Sequence, residues 1–141
     1  MRYLLLLIMI FAAFSEYASA SPCDGIDRSI QDSHKEILAS EIAKQLQVKK
    51  VDVLQSFKFE GWSILYVDTH QSDNVFLFYA YDPLTSCYIT EWSGAAMYNE
   101  EEIIKSLTLN NAPCIPDNLA SCFAWHVTPI KGKDYRGMVQ Q

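Results

Sequence analysis

The spacing of hydrophobic residues from Ser33 onward first follows the period of a helix. Apolar residues recur every three or four positions, at Ile37, Leu38, Ile42 and Leu46, and this spacing predicts an amphipathic helix with one buried stripe. Ser33 and Glu36 also have the spacing of a capping box, in which each side chain bonds to a backbone amide at the helix start. We therefore predict a first helix that begins near Ser33 and packs on a sheet or another helix.

The period then changes from 3.6 to 2, which predicts β-strands. In the first strand, Val51, Val53, Phe57 and Phe59 alternate with Asp52, Ser56 and Lys58. Turn residues separate it from three further segments: 62–67, 75–81 and 87–92. Short polar connections favour an antiparallel meander, and the second and third strands are apolar on both faces, which is typical of central positions in a sheet.

A second helix is predicted to begin at Asn99, a good N-cap, followed by three glutamates that the helix dipole favours. Its apolar side is expected to contain Ile103, Ile104 and Leu107, and residues 110–113 are expected to end it. Residues 116–120 are expected to form a single helical turn, and residues 122–127 are expected to form a fifth, C-terminal strand. The fold class is therefore α+β, with helices packed on an antiparallel sheet.

The N-terminal segment has the features of a cleavable signal peptide over residues 1–20. Arg2 precedes an apolar run, which is shorter than the ~20 residues of a membrane span, and Ala18-Ser19-Ala20 is a small-x-small cleavage pattern. A lipid anchor on Cys23 is disfavoured because Pro22 precedes it. We predict a periplasmic or secreted protein with one α+β domain over residues 21–129, a flexible tail over 130–141, and no membrane span after signal cleavage.

The four cysteines are interpreted in this oxidising context, where an even number favours disulfides. The sequence leaves all three pairings open. We favour Cys23 with Cys122 and Cys87 with Cys114, because long closed loops restrict the unfolded chain most. The alternative, a catalytic or metal-binding thiol, has no C-x-x-C spacing to support it.

The acidic net charge of -6 argues against a nucleic-acid partner, because such partners are bound by clusters of Lys and Arg. The chain contains no glycine-rich phosphate loop, dinucleotide fingerprint or metalloprotease motif. No cofactor and no metal are therefore predicted.

Three histidines are the first candidates for catalysis. Asp68, His70 and Asp73 lie close together at a strand end and turn, with His126 as a fourth group if the protein is an enzyme. Such a set can transfer protons or bind a metal, and it would make the protein a small hydrolase or metal-dependent enzyme. An ordinary polar turn explains the same residues and is favoured, because their spacing matches no known ligand pattern.

The chain is rich in Trp and Tyr, residue types that are enriched in protein interfaces. We take as partner-binding candidates Trp62, Tyr66, Tyr79, Tyr81 and Trp92. The simpler alternative is that most of these rings fill the core of a small sheet protein.

Four segments carry a resemblance to known proteins: 62–70, 76–79, 92–96 and 122–127. Through them the chain resembles small uncharacterised exported proteins of Gram-negative bacteria, and its helix followed by a meander is similar to the plan of PepSY-type and cystatin-like domains. The resemblance implies export and brings no activity with it. The leading hypothesis is a non-enzymatic domain that binds a protein in the envelope, as an inhibitor or immunity factor against an envelope-acting enzyme. An envelope assembly or stress factor that uses a free strand edge is a further alternative.

Overall fold

The computed structural model describes residues 21–129. The predicted signal peptide and the predicted tail lie outside the described residues. Helices and strands follow in the order α1 (Asp32–Leu46), β1 (Asp52–Phe59), β2 (Trp62–Asp68), β3 (Val75–Tyr79), β4 (Thr90–Ser93), α2 (Glu101–Asn111) and α3 (Asp117–Val127). The α+β class is confirmed. Within residues 21–129, no helix combines the length and hydrophobicity that a membrane span requires.

The four strands form one antiparallel sheet in the order β1-β2-β3-β4. Glu60 and Gly61 make the two-residue turn between β1 and β2, with left-handed φ values of 48° and 83°, as such short hairpins require. β2 and β3 take the central positions. The prediction from their apolar residues on both faces is confirmed.

A β-bulge in β1 moves its apolar side chains from one face of the sheet to the other. The register with β2 shifts between Val53 and Gln55. Val53 pairs with Val67 and belongs to one core cluster, whereas Phe57 pairs with Ile64 and belongs to the other. Because one inserted residue reverses the alternation of side chains, this strand contributes to both cores.

One face of the sheet is covered by α1. Its buried residues are Leu38 and Ile42, which pack with Leu65, Val67 and Leu77 of the sheet. The predicted stripe is thus confirmed at its centre, although Ile37 remains 56% exposed.

The predicted capping box at the start of α1 is wrong. The N-cap residue is Gln31, without a side-chain cap hydrogen bond, and its backbone oxygen accepts the amide protons of His34 and Lys35. Ser33 already lies inside the helix. Its backbone therefore cannot adopt the extended conformation that an N-cap residue needs.

The opposite face of the sheet is covered by α3, and α2 packs on α3. α2 begins later than predicted, with Glu100 as its N-cap, while Asn99 has a left-handed φ of 67°. Glu100 Oε2 accepts the backbone N–H of Met97 at 2.7 Å. The acidic side chain therefore stabilises the turn before the helix instead of Asn99 capping it.

The predicted fifth strand is wrong, because residues 122–127 form the second half of α3. This helix buries Leu119, Ala120, Cys122, Phe123, Ala124 and His126. Because so many positions of this helix are buried, its 3.6-residue period is hard to detect in the sequence. The alternation of Phe123, Trp125 and Val127 instead resembles the pattern of a strand. The helical turn predicted at 116–120 is the start of the same helix.

One disulfide is formed within residues 21–129, not two. Cys23 and Cys122 are bonded across 99 positions of sequence, as predicted. Cys87 and Cys114 are free and exposed. Cys87 lies in the β3–β4 connection near Tyr79, on the face covered by α1, and Cys114 lies in the α2–α3 connection on the other face. The intervening sheet separates the two thiols, so this predicted pairing is wrong.

Candidate functional site

A row of aromatic side chains crosses three strands of the sheet. The register places Tyr66 of β2 opposite Phe76 of β3, and Phe76 opposite Trp92 of β4. The rings of Tyr66 and Phe76 are stacked with centroids 4.2 Å apart, and those of Phe76 and Trp92 are 5.9 Å apart. Cross-strand aromatic neighbours stabilise a sheet. Here they also form one continuous apolar surface.

This row is the floor of a cleft of about 270 Å³, which we call the aromatic cleft. Its lining consists of the three rings of the row, the C-terminal end of α3 and a short loop after β4: Tyr66, Phe76, Trp92, Gly94, Ala95, Ala96, His126, Val127 and Pro129. Gly94 has a φ of 111°, a conformation that disfavours a side chain. The small loop residues leave the cleft open above Tyr66 and Trp92, which are both half-buried.

His126 lies at the inner end of the aromatic cleft. It is 9% exposed, and its ring meets Phe57 edge to face with centroids 4.9 Å apart. The rings of Phe76 and Trp92 also contact the ring of Phe123 in α3, with centroid distances of 5.1 and 5.6 Å. The cleft therefore has a rigid aromatic base, and its composition suits an apolar or aromatic group with edge-to-face contacts.

The five aromatic candidates from the sequence lie in three different environments. Tyr66 and Trp92 line the aromatic cleft, whereas Trp62 and Tyr79 are buried in the two cores. Tyr81 is 74% exposed in the β3–β4 connection. Only two of the five are therefore brought together at one site.

Tyr79 has a structural environment beneath α1. Its hydroxyl donates a hydrogen bond to Gln45 Oε1 at 3.0 Å, and burial raises its pKa well above the usual value. The Gln45 side chain in turn donates to the backbone oxygens of Pro83 and Ser86 at 3.0 Å. The pair ties the β3–β4 connection to α1.

His70 is paired with two aspartates, only one of which was predicted. Its Nε2 lies 2.7 Å from Asp52 Oδ2, and its Nδ1 lies 3.7 Å from Asp68 Oδ2. Asp68 Oδ1 also accepts the His70 backbone N–H at 2.7 Å, which holds a residue with a φ of 58°. Hydrogen bonds from Lys50 and His70 lower the pKa of the Asp52 carboxyl.

This arrangement suits an electrostatic link between strand ends better than proton transfer. Both ring nitrogens of His70 face carboxylates, so neither is directed at a substrate. Asp73 lines a different cleft with Thr69 and Glu91, and His126 lies in the aromatic cleft. Over residues 21–129, no group of three or more His, Cys, Asp or Glu side chains is placed to hold a metal ion.

Sequence reasoning missed Asp52 and the small-residue loop at 94–96. Asp52 had no clear signal, because the Glu60-Gly61 turn alone would place it opposite Thr69, and only the β-bulge shifts it to Asp68. The aromatic row had a signal, because a hairpin centred on Gln71 places Tyr66 opposite Phe76. That signal does not indicate how α3 and the loop enclose the row.

Comparisons with protein-family models, with curated proteins and with solved structures found no match to this chain. Its function is therefore inferred from its own residues.

Proposed function

We propose that this chain is an exported protein that binds a protein partner in the envelope or outside the cell. In this proposal the aromatic cleft takes up an apolar side chain of the partner, and the protein acts as an inhibitor or immunity factor against an envelope-acting enzyme. The observation that carries the proposal is the half-open row of Tyr66, Phe76 and Trp92. Aromatic residues held rigidly around a small pocket are typical centres of binding energy in protein interfaces.

Two further features support the proposal. The Cys23–Cys122 disulfide suits an oxidising compartment, in agreement with the signal-like N-terminal segment. The net charge of -6 would speed the capture of a basic partner. Four of the 11 basic residues but only two of the 17 acidic ones lie outside residues 21–129, so the described domain is more acidic than the chain as a whole.

The test compares two tyrosine variants of the mature protein. Tagged wild-type protein, Tyr66→Ala and Tyr81→Ala are used to capture partners from an extract of the compartment to which the protein is exported. We expect one stoichiometric partner, lost with Tyr66→Ala and kept with Tyr81→Ala, because only Tyr66 lines the cleft. Circular dichroism checks that both variants are folded.

A direct contact is tested with a photo-crosslinking residue at Ala95, at the mouth of the cleft, and at Ser40 on α1 as the control. A crosslink to the captured partner from Ala95 alone is expected. The proposal is wrong if no stoichiometric partner is found, or if Tyr66→Ala retains it and the crosslink forms equally from Ser40.

A second candidate function, envelope assembly or a stress response, is favoured by the outer edge of β4. Within residues 21–129 no strand pairs with this edge, whereas the edge of β1 is partly covered by backbone hydrogen bonds between Asp27 and Lys58. A free edge can accept a strand of a partner. Hydrogen exchange separates the two candidates: strand addition forms new backbone hydrogen bonds and slows the exchange of the β4 amides that point away from β3, whereas an apolar side chain in the cleft forms no hydrogen bond with those amides.

A further inference from the structure

The exposed side of α2 and the turn before it carry a second apolar surface, which we call the α2 ridge. It consists of Met97, Tyr98, Ile103 and Leu107, whose exposed fractions are 70%, 67%, 58% and 48%. The ridge begins at Met97, directly after Ala96 of the aromatic cleft. It contains half of the large hydrophobic residues that are exposed in the described domain.

The ridge exists because the packing of α2 leaves Ile103 and Leu107 exposed. The helix buries Ile104 and Thr108, and it packs against α3. Ile103 and Leu107 are four positions apart, so they share a different side of the helix. Side chains on a helix lean toward its N-terminus, which brings Ile103 toward the turn that carries Met97 and Tyr98.

The charges around the ridge are acidic. Glu100, Glu101 and Glu102 surround its N-terminal end, and among the described residues no cation forms an ion pair with them. Lys105 is the one basic residue of α2, and its Nζ is paired with Asp117 Oδ2 at 2.9 Å. An incoming partner therefore meets uncompensated negative charge beside exposed apolar side chains.

We propose that the α2 ridge binds a basic amphipathic segment of another protein. Apolar side chains of that segment would cover Ile103 and Leu107, and its Lys or Arg residues would pair with the three glutamates. A second copy of this chain fits poorly, because two acidic ends would meet and repel. An anionic membrane is disfavoured for the same reason.

The probe is a synthetic amphipathic helical peptide of Leu and Lys, titrated into the full mature protein and followed by anisotropy and by amide chemical shifts. We expect saturable binding with the largest shifts on residues 97–107. A matched peptide of Leu and Glu, and one of Ser and Lys, should bind at least about tenfold more weakly, because each lacks one of the two complementary features.

Variants of the ridge decide whether it is the binding site. Ile103→Ser with Leu107→Ser should weaken binding about tenfold or more, whereas Ile37→Ser on α1, which is 56% exposed, should leave it unchanged. Glu101→Gln with Glu102→Gln should weaken binding at low salt and reduce its salt dependence. Ile37, Glu102, Ile103 and Leu107 are exposed and Glu101 is half-buried, so thermal melts of these variants should remain close to the wild type.

The inference is overturned if the shifts map elsewhere or if the ridge variant binds as well as the wild type. It is also overturned if the ridge residues instead mediate dimerisation in sedimentation experiments, or if anionic phosphatidylglycerol vesicles bind more tightly than the peptide. These outcomes are independent of the proposed function, since Tyr66→Ala changes the cleft and leaves the four ridge residues in place.

Discussion

The two faces of the sheet are covered in different ways. On one face, the single helix α1 packs aliphatic residues such as Leu38 and Ile42 on Leu65 and Leu77. On the other face, α2 and α3 cover a core rich in aromatic rings, and a disulfide joins α3 to the segment before α1. The first face depends on elements that are close in sequence, whereas the second depends on contacts between distant ones. The second face also contains the aromatic cleft.

The largest expected effect concerns the disulfide that holds the second face. Replacing Cys23 and Cys122 with Ala removes a link across 99 positions, for which loop entropy predicts a loss of about 4 to 5 kcal/mol. The loss in the free energy of unfolding is measured with urea. The control is Cys87→Ser with Cys114→Ser, which removes two free, exposed thiols and should change stability by less than about 0.5 kcal/mol. A similar loss in both double variants would contradict the assigned pairing.

The next effect compares a core residue from each face. Phe123→Ala removes a fully buried ring that contacts Phe76, Phe78 and Trp92, and should cost about 3 to 5 kcal/mol. Leu38→Ala beneath α1 should cost about 2 to 4 kcal/mol. Urea unfolding of both variants measures the difference. A larger loss with Leu38→Ala would mean that α1, and not the aromatic core, dominates stability.

A smaller effect is expected at the hydrogen bond of the Tyr79 hydroxyl on the α1 face. Tyr79→Phe removes the bond to Gln45 and should cost about 1 kcal/mol, measured by urea unfolding at pH 7. Because the native pKa of Tyr79 is raised, the unfolded tyrosine loses its proton first as the pH rises above 10. Wild-type stability should therefore decrease in that range, and Tyr79→Phe should lessen the decrease.

The smallest effect concerns Asp27, which lies in the segment before α1 and pairs with Lys58 at the outer edge of β1. Hydrogen bonds from Ser29 and then Lys58 lower the pKa of Asp27 to about 2, and Lys58 Nζ lies 3.0 Å from Asp27 Oδ2. The lowered pKa stabilises the native state above pH 4, and this stabilisation is lost as the pH falls toward 2.

Asp27→Asn should remove this pH dependence and cost roughly 0.2 to 1 kcal/mol at pH 7. Unfolding curves of the wild type and the variant between pH 2 and 7 measure it. Asp24→Asn, in the same exposed segment, is the control. If the stability of Asp27→Asn depends on pH as strongly as that of the wild type, this carboxylate is not the cause of the pH dependence.

Much of the fold could be predicted from the sequence because its signals are local. The apolar stripe of α1, the Glu60-Gly61 turn and the central strands each depend on residues within a few positions of one another. α3 was predicted incorrectly because its buried residues are numerous and cover a broad side of the helix, so no narrow apolar stripe stands out. The bulge in β1 was missed for a related reason, since one extra residue leaves the alternation of Val53 and Phe57 intact in the sequence.

The candidate site was predictable only in part. Tyr66 and Trp92 were identified by residue type, but type does not separate them from Trp62 and Tyr79, which are buried. For His70, neighbours in sequence suggested Asp68 correctly, while its closest partner, Asp52, lies on another strand. Likewise, Ile103, Ile104 and Leu107 were assigned to the apolar side of α2, but packing buries Ile104 together with Thr108 and leaves Ile103 and Leu107 exposed.

The sequence by itself determined the helix and strand periods of residues 33–81, the acidic charge and the four cysteines available for pairing. Only the tertiary structure decided which cysteines pair, which aromatic rings remain accessible and which apolar residues of α2 stay exposed. The physical reason is that periods, turns and charge are set by neighbouring residues, whereas burial and pairing depend on how distant segments pack. Both proposed binding surfaces, the aromatic cleft and the α2 ridge, are products of that packing.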